Sequence, residues 1–393
     1  LILVFLCLLP GLSLAQNEPL TLDQLIQLAK EKNKGLQSAN LEIDRAQALI
    51  STAYDLKKTS IFFNYNESNL NIENEQLNQW GIGQEFQLPW AYRAQKKQLQ
   101  HQVSQKHLEY QIKQTSLVKG ISKAFYHLQM LYAQQKEYLF LDSLYDHFHK
   151  SASRRFELGQ SNYLEVLSAQ SRKNEIALQH MQIQKELSID QLELAKLVQS
   201  PDSFQIIQLE IEPLQLNLPN QIDHPGISYQ KSFITGNENS LKVEKIKLLP
   251  AIRMDYFQGY NKTIKSDIYQ GFQVSLDVPI FYGAQKATIQ ASQLKRDQAQ
   301  MATQDYQLRY QYSLDQLMVT LDQHQETITA YFQVNGTLAN ALLNTATKNY
   351  QNGEIDFFQY AQAINQAILI KINYLNSLNQ YNQTVLDINY LIP

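Results

Sequence analysis

One set of landmarks occurs twice along this chain, in the same order and at nearly the same spacing, and no other feature restricts the fold as much. The segment Gln87–Lys96 returns as Asp277–Lys286, with Pro89, Tyr92, Ala94, Gln95 and Lys96 matched by Pro279, Tyr282, Ala284, Gln285 and Lys286. Further on, Phe156–Leu164 returns as Tyr350–Phe358, each holding one glycine, Gly159 and Gly353. Upstream, Asn33-Lys34-Gly35-Leu36 returns as His224-Pro225-Gly226-Ile227. Ordered self-similarity of this kind reads as a tandem duplication. The boundaries are 16–199 for the first repeat, 200–223 for a linker and 224–393 for the second repeat.

Each half reads as helix, two strands, very long helix, tight turn and helix. With 13 Gly and 10 Pro in 393 residues, the runs Ala94–Tyr132 and Gln285–Phe332 hold neither, apart from Gly120, so nothing stops a helix there. Pro89 and Pro279 stand where strand gives way to helix, the position where a missing N–H does least harm. Gly159 and Gly353 stand where the helix must stop and reverse, as a C-cap requires. Pro89 to Gly159 is about seventy residues, roughly 105 Å of helix at 1.5 Å per residue, and Pro279 to Gly353 is longer by about one turn. The return helices are expected over Tyr163–Val198 and Phe357–Leu391. Their apolar residues are Ile176, Ile183, Leu187 and Leu194, then Ile368, Ile372, Leu375, Leu378, Val385 and Ile388. Steps of three, four and seven give a narrow coiled-coil seam with wet flanks.

In the strand segments apolar and polar residues alternate. Trp80, Ile82, Phe86 and Leu88 share a face (with Gln84 the exception), opposite Gly81, Gly83, Glu85 and Gln87. Phe272, Val274, Leu276 and Val278 oppose Gly271, Gln273, Ser275 and Asp277, and Ile252, Met254, Tyr256 and Tyr260 oppose Arg253, Asp255 and Gly259. The strand Ile61–Asn71 is rougher, because Phe62 breaks its pattern. Segments of about ten residues with aromatic ends suit a tilted strand crossing a bilayer. A soluble sheet with one wet face shows the same alternation, but two matching pairs, each feeding a very long helix, favour the membrane. Open edges are forbidden in lipid, so four strands cannot span it alone, whereas three copies supply about twelve. The expected fold class is mainly α with transmembrane β, a trimer whose 12-stranded β-barrel continues into a long α-helical coiled-coil tunnel.

Composition narrows the function further. A formal charge of -3 and scattered basic residues give no footprint for nucleic acid. Leu1–Leu9 is a short apolar run followed by Pro10-Gly11 and Ser13-Leu14-Ala15, which reads as a signal peptide over 1–15 cleaved after Ala15. The competing reading is the stub of a membrane helix from an upstream protein. Cys7, the only cysteine, lies in that run, so a chain cleaved there has no thiol. No other run reaches the ~18–20 apolar residues of a spanning helix, so any crossing must be made by strands. The linker, with Pro201, Pro213 and Pro219 and short apolar alternations, is expected to pack around the outside of the tube.

On this set of residues the chain resembles the TolC-like outer-membrane efflux channels over essentially its whole mature length. The resemblance rests on the duplicated element order, the Leu88-Pro89 and Val278-Pro279 strand ends, and the turns Arg155–Gly159 and Asn349–Gly353. The segments Thr52–Thr59 and Val278–Lys286 look most like the heavy-metal (CzcC/CusC-like) branch, which occurs beside or fused to resistance-nodulation-division (RND) metal pumps. The resemblance implies a passive duct in the outer membrane, a homotrimer partnered by a periplasmic adaptor and an inner-membrane RND pump, with metal cations as cargo. It also implies that the hairpin tips dock the adaptor, here Gly159 with Tyr163 and Leu164, and Gly353 with Phe357 and Phe358; Phe357 could equally cap the hairpin core. Relatives carry an acid six positions past each glycine at the lumen entrance. Here the positions are Glu165 and Gln359, so the second acid is missing, and Glu165 could also be a solvated helix carboxylate. The lipid-facing barrel residues are expected to include Trp80, Ile82, Phe86, Phe272, Val274 and Leu276.

No constellation points to catalysis, a cofactor or a metal site. His147 and His149 flank Phe148, and side chains two apart on a helix do not share a face. No strand-to-helix junction carries a phosphate cradle and no Ser sits in a nucleophile elbow. A protein-secretion channel of the same fold, or a non-channel periplasmic coiled coil or adhesion protein, are the alternatives.

Overall fold

The computed structural model of the chain describes residues 19–70, 76–200, 205–218, 224–261 and 268–391, with backbone alone for 66–70, 76–77 and 260–261. The expected leader with Cys7, the linker prolines Pro201 and Pro219, and Asn71 at the end of the expected first strand lie outside the described residues. So does the side chain of Tyr260.

The elements are α1 Leu22–Lys32, α2 Lys34–Ala48, a 3-10 turn Leu49–Tyr54, β1 Ser60–Leu70, β2 Gln76–Phe86, α3 Pro89–Glu157 and α4 Tyr163–Val198. The second half supplies α5 Pro225–Ile246, β3 Ala251–Asn261, β4 Tyr269–Asp277, α6 Gly283–Ala330, a π turn Tyr331–Asn335, α7 Gly336–Gln351 and α8 Phe357–Asn389. The duplicated order is therefore as the sequence reads, with three differences. The opening helix of the first half breaks at Asn33, whose backbone turns extended and whose amide donates to the Leu197 carbonyl at 3.0 Å. Pro89 is the first residue of α3, as expected, but Pro279 does not begin a helix: α6 starts at Gly283. Val278 and Ile280 are β-branched and Phe281-Tyr282 aromatic, all reluctant to enter a helix, whereas Ala91 follows Pro89 closely in the first half. Finally, the second long helix is interrupted by the π turn, which takes in more residues per turn than an α-helix and falls between Lys286 and Gly353, where this half is longer.

Contacts divide the molecule into two compact units, each built from both repeats. One comprises residues up to Lys34, Gln114–Pro219 and Leu314–Leu391. Here the expected seam residues are the core. Ile183, Leu187 and Leu194 of α4 pack with Leu25 and Ala29 of α1 and with Ile121, Phe125 and Leu128 of α3. Ile176 of α4 joins Ile364, Ile368 and Ile372 of α8 around Leu141, Tyr145 and Phe148 of α3. Leu378, Val385 and Ile388 of α8 meet Leu321 and Ile328 of α6. Leu375 is only partly buried. Asp387 of α8 receives both Lys119, at 3.0 Å, and Lys123, at 2.9 Å, from α3.

Residues 205–218 of the linker form a strap on this unit. A strap without secondary structure must satisfy its backbone elsewhere, and side-chain amides of α3 and α8 do so. The Leu209 N–H donates to Gln129 Oε1 at 2.8 Å, the Leu214 N–H to Asn382 Oδ1 at 2.8 Å and the Asn217 N–H to Asn389 Oδ1 at 2.8 Å. Asn382 returns a bond from Nδ2 to the Glu212 carbonyl at 2.8 Å. Ile211, Leu214 and Leu216 insert against the α6–α8 cluster.

The other unit holds the sheet with α2, α5 and the adjoining stretches of α3 and α6. Leu36, Ala39 and Ile43 of α2, Val103 of α3, Leu241 of α5, and Tyr306 and Tyr310 of α6 are buried. The His101 ring meets the Ser232 carbonyl at 2.7 Å, and Thr303 donates to the Gln230 carbonyl at 3.2 Å. All four strands run antiparallel in the order β1-β2-β3-β4, so the two repeats join through β2 and β3. Strands β1 and β4 are left as edges.

Asn382 is fully buried and carries two strap bonds. Asn382→Ala is expected to destabilise the chain by about 1–3 kcal/mol, through the loss of two bonds to the strap backbone and of the buried amide that makes them. Protease cleavage within 205–218 should rise with it, which limited proteolysis followed by mass spectrometry would read.

Candidate functional site: hairpin tips and sheet faces

Both tips are built the same way. After α3 the Gln160 N–H reaches the Arg155 carbonyl at 2.8 Å and the Gly159 N–H the Phe156 carbonyl at 2.9 Å. After α7 the Glu354 N–H reaches Asn349 at 2.8 Å and the Gly353 N–H reaches Tyr350 at 3.1 Å. This double bond pattern is the Schellman motif, which needs a left-handed residue. Gly159, at φ 70°, and Gly353, at φ 76°, supply it, and no neighbour would touch a Cβ at either. Conformation alone requires glycine here.

The return helices start on side-chain caps. Asn162 Oδ1 accepts from the Glu165 N–H at 3.0 Å, and Asp356 Oδ1 from the Gln359 N–H at 2.8 Å. Gln359 completes a capping box, its Oε1 accepting the Asp356 N–H at 3.2 Å, so its side chain is engaged in holding the helix start. Glu165 accepts from Arg155 Nη1 at 3.1 Å and from the Ser161 hydroxyl. It is thus a paired carboxylate that closes the first turn, rather than a freely solvated one. The residues carried over for docking separate into two groups. Tyr163, Leu164 and Phe358 are exposed, at 58%, 71% and 44%. Phe357 is half-buried and stacks on Phe148 at 4.9 Å, with Tyr350 edge-on at 5.4 Å, so it caps the hairpin core.

Above the tip, Asp146 of α3 receives Lys173 of α4 at 2.6 Å and Lys150 at 2.7 Å. Their hydrogen bonds hold its carboxyl at about 2, against a usual 3.8. His147 is exposed, and Phe148 between the two histidines is core, so the pair points to no common ligand position.

Register assigns the sheet faces. Ile61 pairs with Ile82, Ile82 with Tyr256 and Tyr256 with Phe272; Met254 pairs with Val274, and Ile252 with both Phe86 and Leu276. Cross-strand partners share a face, so these residues, with Phe63 and Trp80, form one apolar face. It is open: Ile61 is 83%, Phe272 65% and Leu276 64% exposed, and Trp80, Ile82 and Val274 are exposed too, while Phe86 is half-buried. Leu88 and Val278 lie beyond the strand ends.

Phe62, which breaks the alternation, lies on the opposite face, and the glycines explain it. A Cβ on Gly81 would meet Phe62 Cζ at 2.5 Å, and one on Gly271 would meet Phe257 Cζ at 2.3 Å. The rings lie flat over bare backbone, an aromatic–glycine pairing across neighbouring strands. The same face carries an ion-pair chain that sequence reading did not assemble. Lys57 meets Glu85, Glu85 lies 3.8 Å from Arg253, and Arg253 reaches Asp277 at 3.2 Å. Its partners stand far apart in sequence, and the available signal was that Glu85, Arg253 and Asp277 all occupy polar positions at one end of their strands. Lys57, Glu85 and Arg253 help line a cleft of about 500 Å³ at this end of the sheet.

Asp146 contributes to stability above the unfolded carboxyl pKa, and the contribution is lost as pH falls through about 2. Asp146→Asn should therefore lower the melting temperature at pH 7, and the gap to the parent should close between pH 4 and pH 2, as thermal melts across that range would record. The effect is expected to be modest and to shrink with salt, because the pair is solvent-accessible.

No family model matches the chain, and no curated protein matches it in sequence. Solved structures do. A membrane protein from Pseudomonas aeruginosa aligns over 94% of this chain and 92% of its own, at 16% identity and a TM-score of 0.76. CusC, described in connection with transmembrane channel formation, aligns over 95% and 94%, at 17% identity and a TM-score of 0.74. The outer membrane protein VceC from Vibrio cholerae aligns over 94% and 95%, at 14% identity and a TM-score of 0.71. At these identities the likeness establishes the fold: the chain has the architecture shared by these membrane proteins over nearly its whole length.

Proposed function

We propose that this chain is one protomer of a homotrimeric outer-membrane channel, a passive duct with no catalytic step, whose helices extend into the periplasm. The observation that carries the reading is the sheet. Its apolar face is solvent-exposed on four strands of nine to eleven residues, and both edges are open. An exposed apolar sheet with free edges invites aggregation in water. Closing with other copies in lipid satisfies the edges and covers the face, and three copies bring about twelve strands. Among the described residues no helix is long and apolar enough to cross a membrane, which leaves the strands for that task. A second apolar stripe on α4, made by exposed Leu178, Met181, Ile189 and Leu192 opposite the buried seam, supports packing against another copy.

The duct works by position rather than chemistry. An inner-membrane RND pump supplies the energy and an adaptor seals the pump to the exposed tip residues Tyr163, Leu164 and Phe358. Metal cations are the proposed cargo, on the resemblance of Thr52–Thr59 and Val278–Lys286. The fold neighbours include CusC alongside the CmeC and VceC proteins, so the likeness of fold does not by itself favour one cargo.

The first test is the mass of the purified chain in mild detergent, followed by detergent removal. A trimer that precipitates without detergent supports the reading, and a monomer or dimer that stays soluble overturns it. Phe272→Asp combined with Leu276→Asp should abolish trimer insertion, since a charge on a lipid-facing strand costs on the order of 2–4 kcal/mol for a basic residue and somewhat less for Asp. Leu164→Asp should leave the trimer mass and single-channel conductance unchanged while efflux in cells falls to that of a strain lacking the channel. Normal efflux with Leu164→Asp would remove this tip from the docking surface.

A further inference from the structure

The polar face of the sheet carries its charges in two layers. At the end where the strands meet the helices, Lys57, Glu85, Arg253 and Asp277 form the chain of ion pairs described above, two cations and two anions in mutual contact. That layer compensates itself. Two residues further along β3 stands Asp255, opposite Gly83 on β2 and Gln273 on β4. Its carboxylate lies over Gly83, where a Cβ would meet Oδ1 at 2.1 Å. Among the described residues no basic side chain pairs with it, and the Gln273 amide turns away to donate to Ser275 at 3.1 Å. The other polar-face side chains described on the four strands, such as Ser60, Phe62, Gln79 and Phe257, carry no charge. Among the described residues of this face, Asp255 is therefore the one charge without a partner of opposite sign.

We infer that Asp255 is the residue that makes the membrane-spanning part of the duct prefer cations, an assignment that rests on the channel reading, with the polar face turned to the lumen. Three copies place three such carboxylates at one level, the arrangement by which charged rings bias cation channels. The glycine beneath lets the carboxylate lie against the wall, so the preference is electrostatic and leaves the bore open. Screening sets its reach. The Debye length is about 8 Å at 0.15 M salt and about 30 Å at 0.01 M, so the wall charges act across a wide lumen only in dilute salt. Cationic solutes are thus the favoured class, and the bias must fade as salt rises.

The test is the reversal potential of the full-length trimer in planar bilayers of neutral lipid under a KCl gradient whose dilute side is about 10 mM. Asp255→Asn is expected to lower the cation-over-anion permeability ratio by roughly twofold or more there and to have little effect near 1 M. Asp255→Glu should restore the parental ratio, and Asp255→Ser serves where the Asn variant fails to assemble. The paired substitution Arg253→Gln with Asp277→Asn removes one charge of each sign and should leave the ratio unchanged. An Asp255→Asn trimer with the parental reversal potential in dilute salt overturns the assignment, as does a paired variant that shifts it equally. A parental chain that inserts but never conducts overturns the channel reading itself, and this assignment with it.

Discussion

The pairing of β2 with β3 is the contact on which the sheet depends. A two-stranded hairpin is marginal alone, and each repeat brings only one. The continuous register from Leu77 opposite Asn261 to Phe86 opposite Ile252 merges two such hairpins into a single four-stranded sheet. Because side chains alternate with period two, that register also places Ile61, Ile82, Tyr256 and Phe272 in one row across all four strands. A slip of one residue between β2 and β3 would put the apolar residues of the two hairpins on opposite faces and take Phe257 away from Gly81.

The helical unit faces the opposite problem, too much length for a local core. Coiled-coil seams bury few residues per turn, and the unit answers with three successive apolar clusters along its helices. Polar anchors stand among them. Gln129 and Asn382, nearly or fully buried, hold the strap between the repeats, and Asp387 gathers Lys119 and Lys123. A buried amide with every bond made adds specificity at little cost, because its partners are backbone groups that would otherwise be unsatisfied.

Much of this was legible in the residues. Pro89, Gly159 and Gly353 sit where the sequence reading puts them, because a missing N–H and a left-handed backbone are local demands. The seam from Ile176 to Leu194 and from Ile368 to Ile388 follows from spacing alone, since helical period fixes which residues share a face. Reading failed where two options satisfied the same local rule. Pro279 could start a helix or continue an extended link, and the aromatic and β-branched residues after it decided for the link. The stacking of Phe357 on Phe148, more than two hundred residues earlier, is likewise a contact that no local rule specifies. Gln359 reads as a missing acid by position, yet its amide is engaged in a capping box with Asp356.

The sequence by itself determined the duplication, the element order, the turn glycines, the seams and the two-faced strands, because periodicity and backbone chemistry act over a few residues. Only the tertiary structure decided the order β1-β2-β3-β4, the strap bonds of Asn382, and the charge chain from Lys57 through Glu85 and Arg253 to Asp277. These depend on which strand lies beside which and in what register. Residues 57 and 277 become parts of one layer only once β2 and β3 have joined the two halves, and no local pattern in either half carries that information.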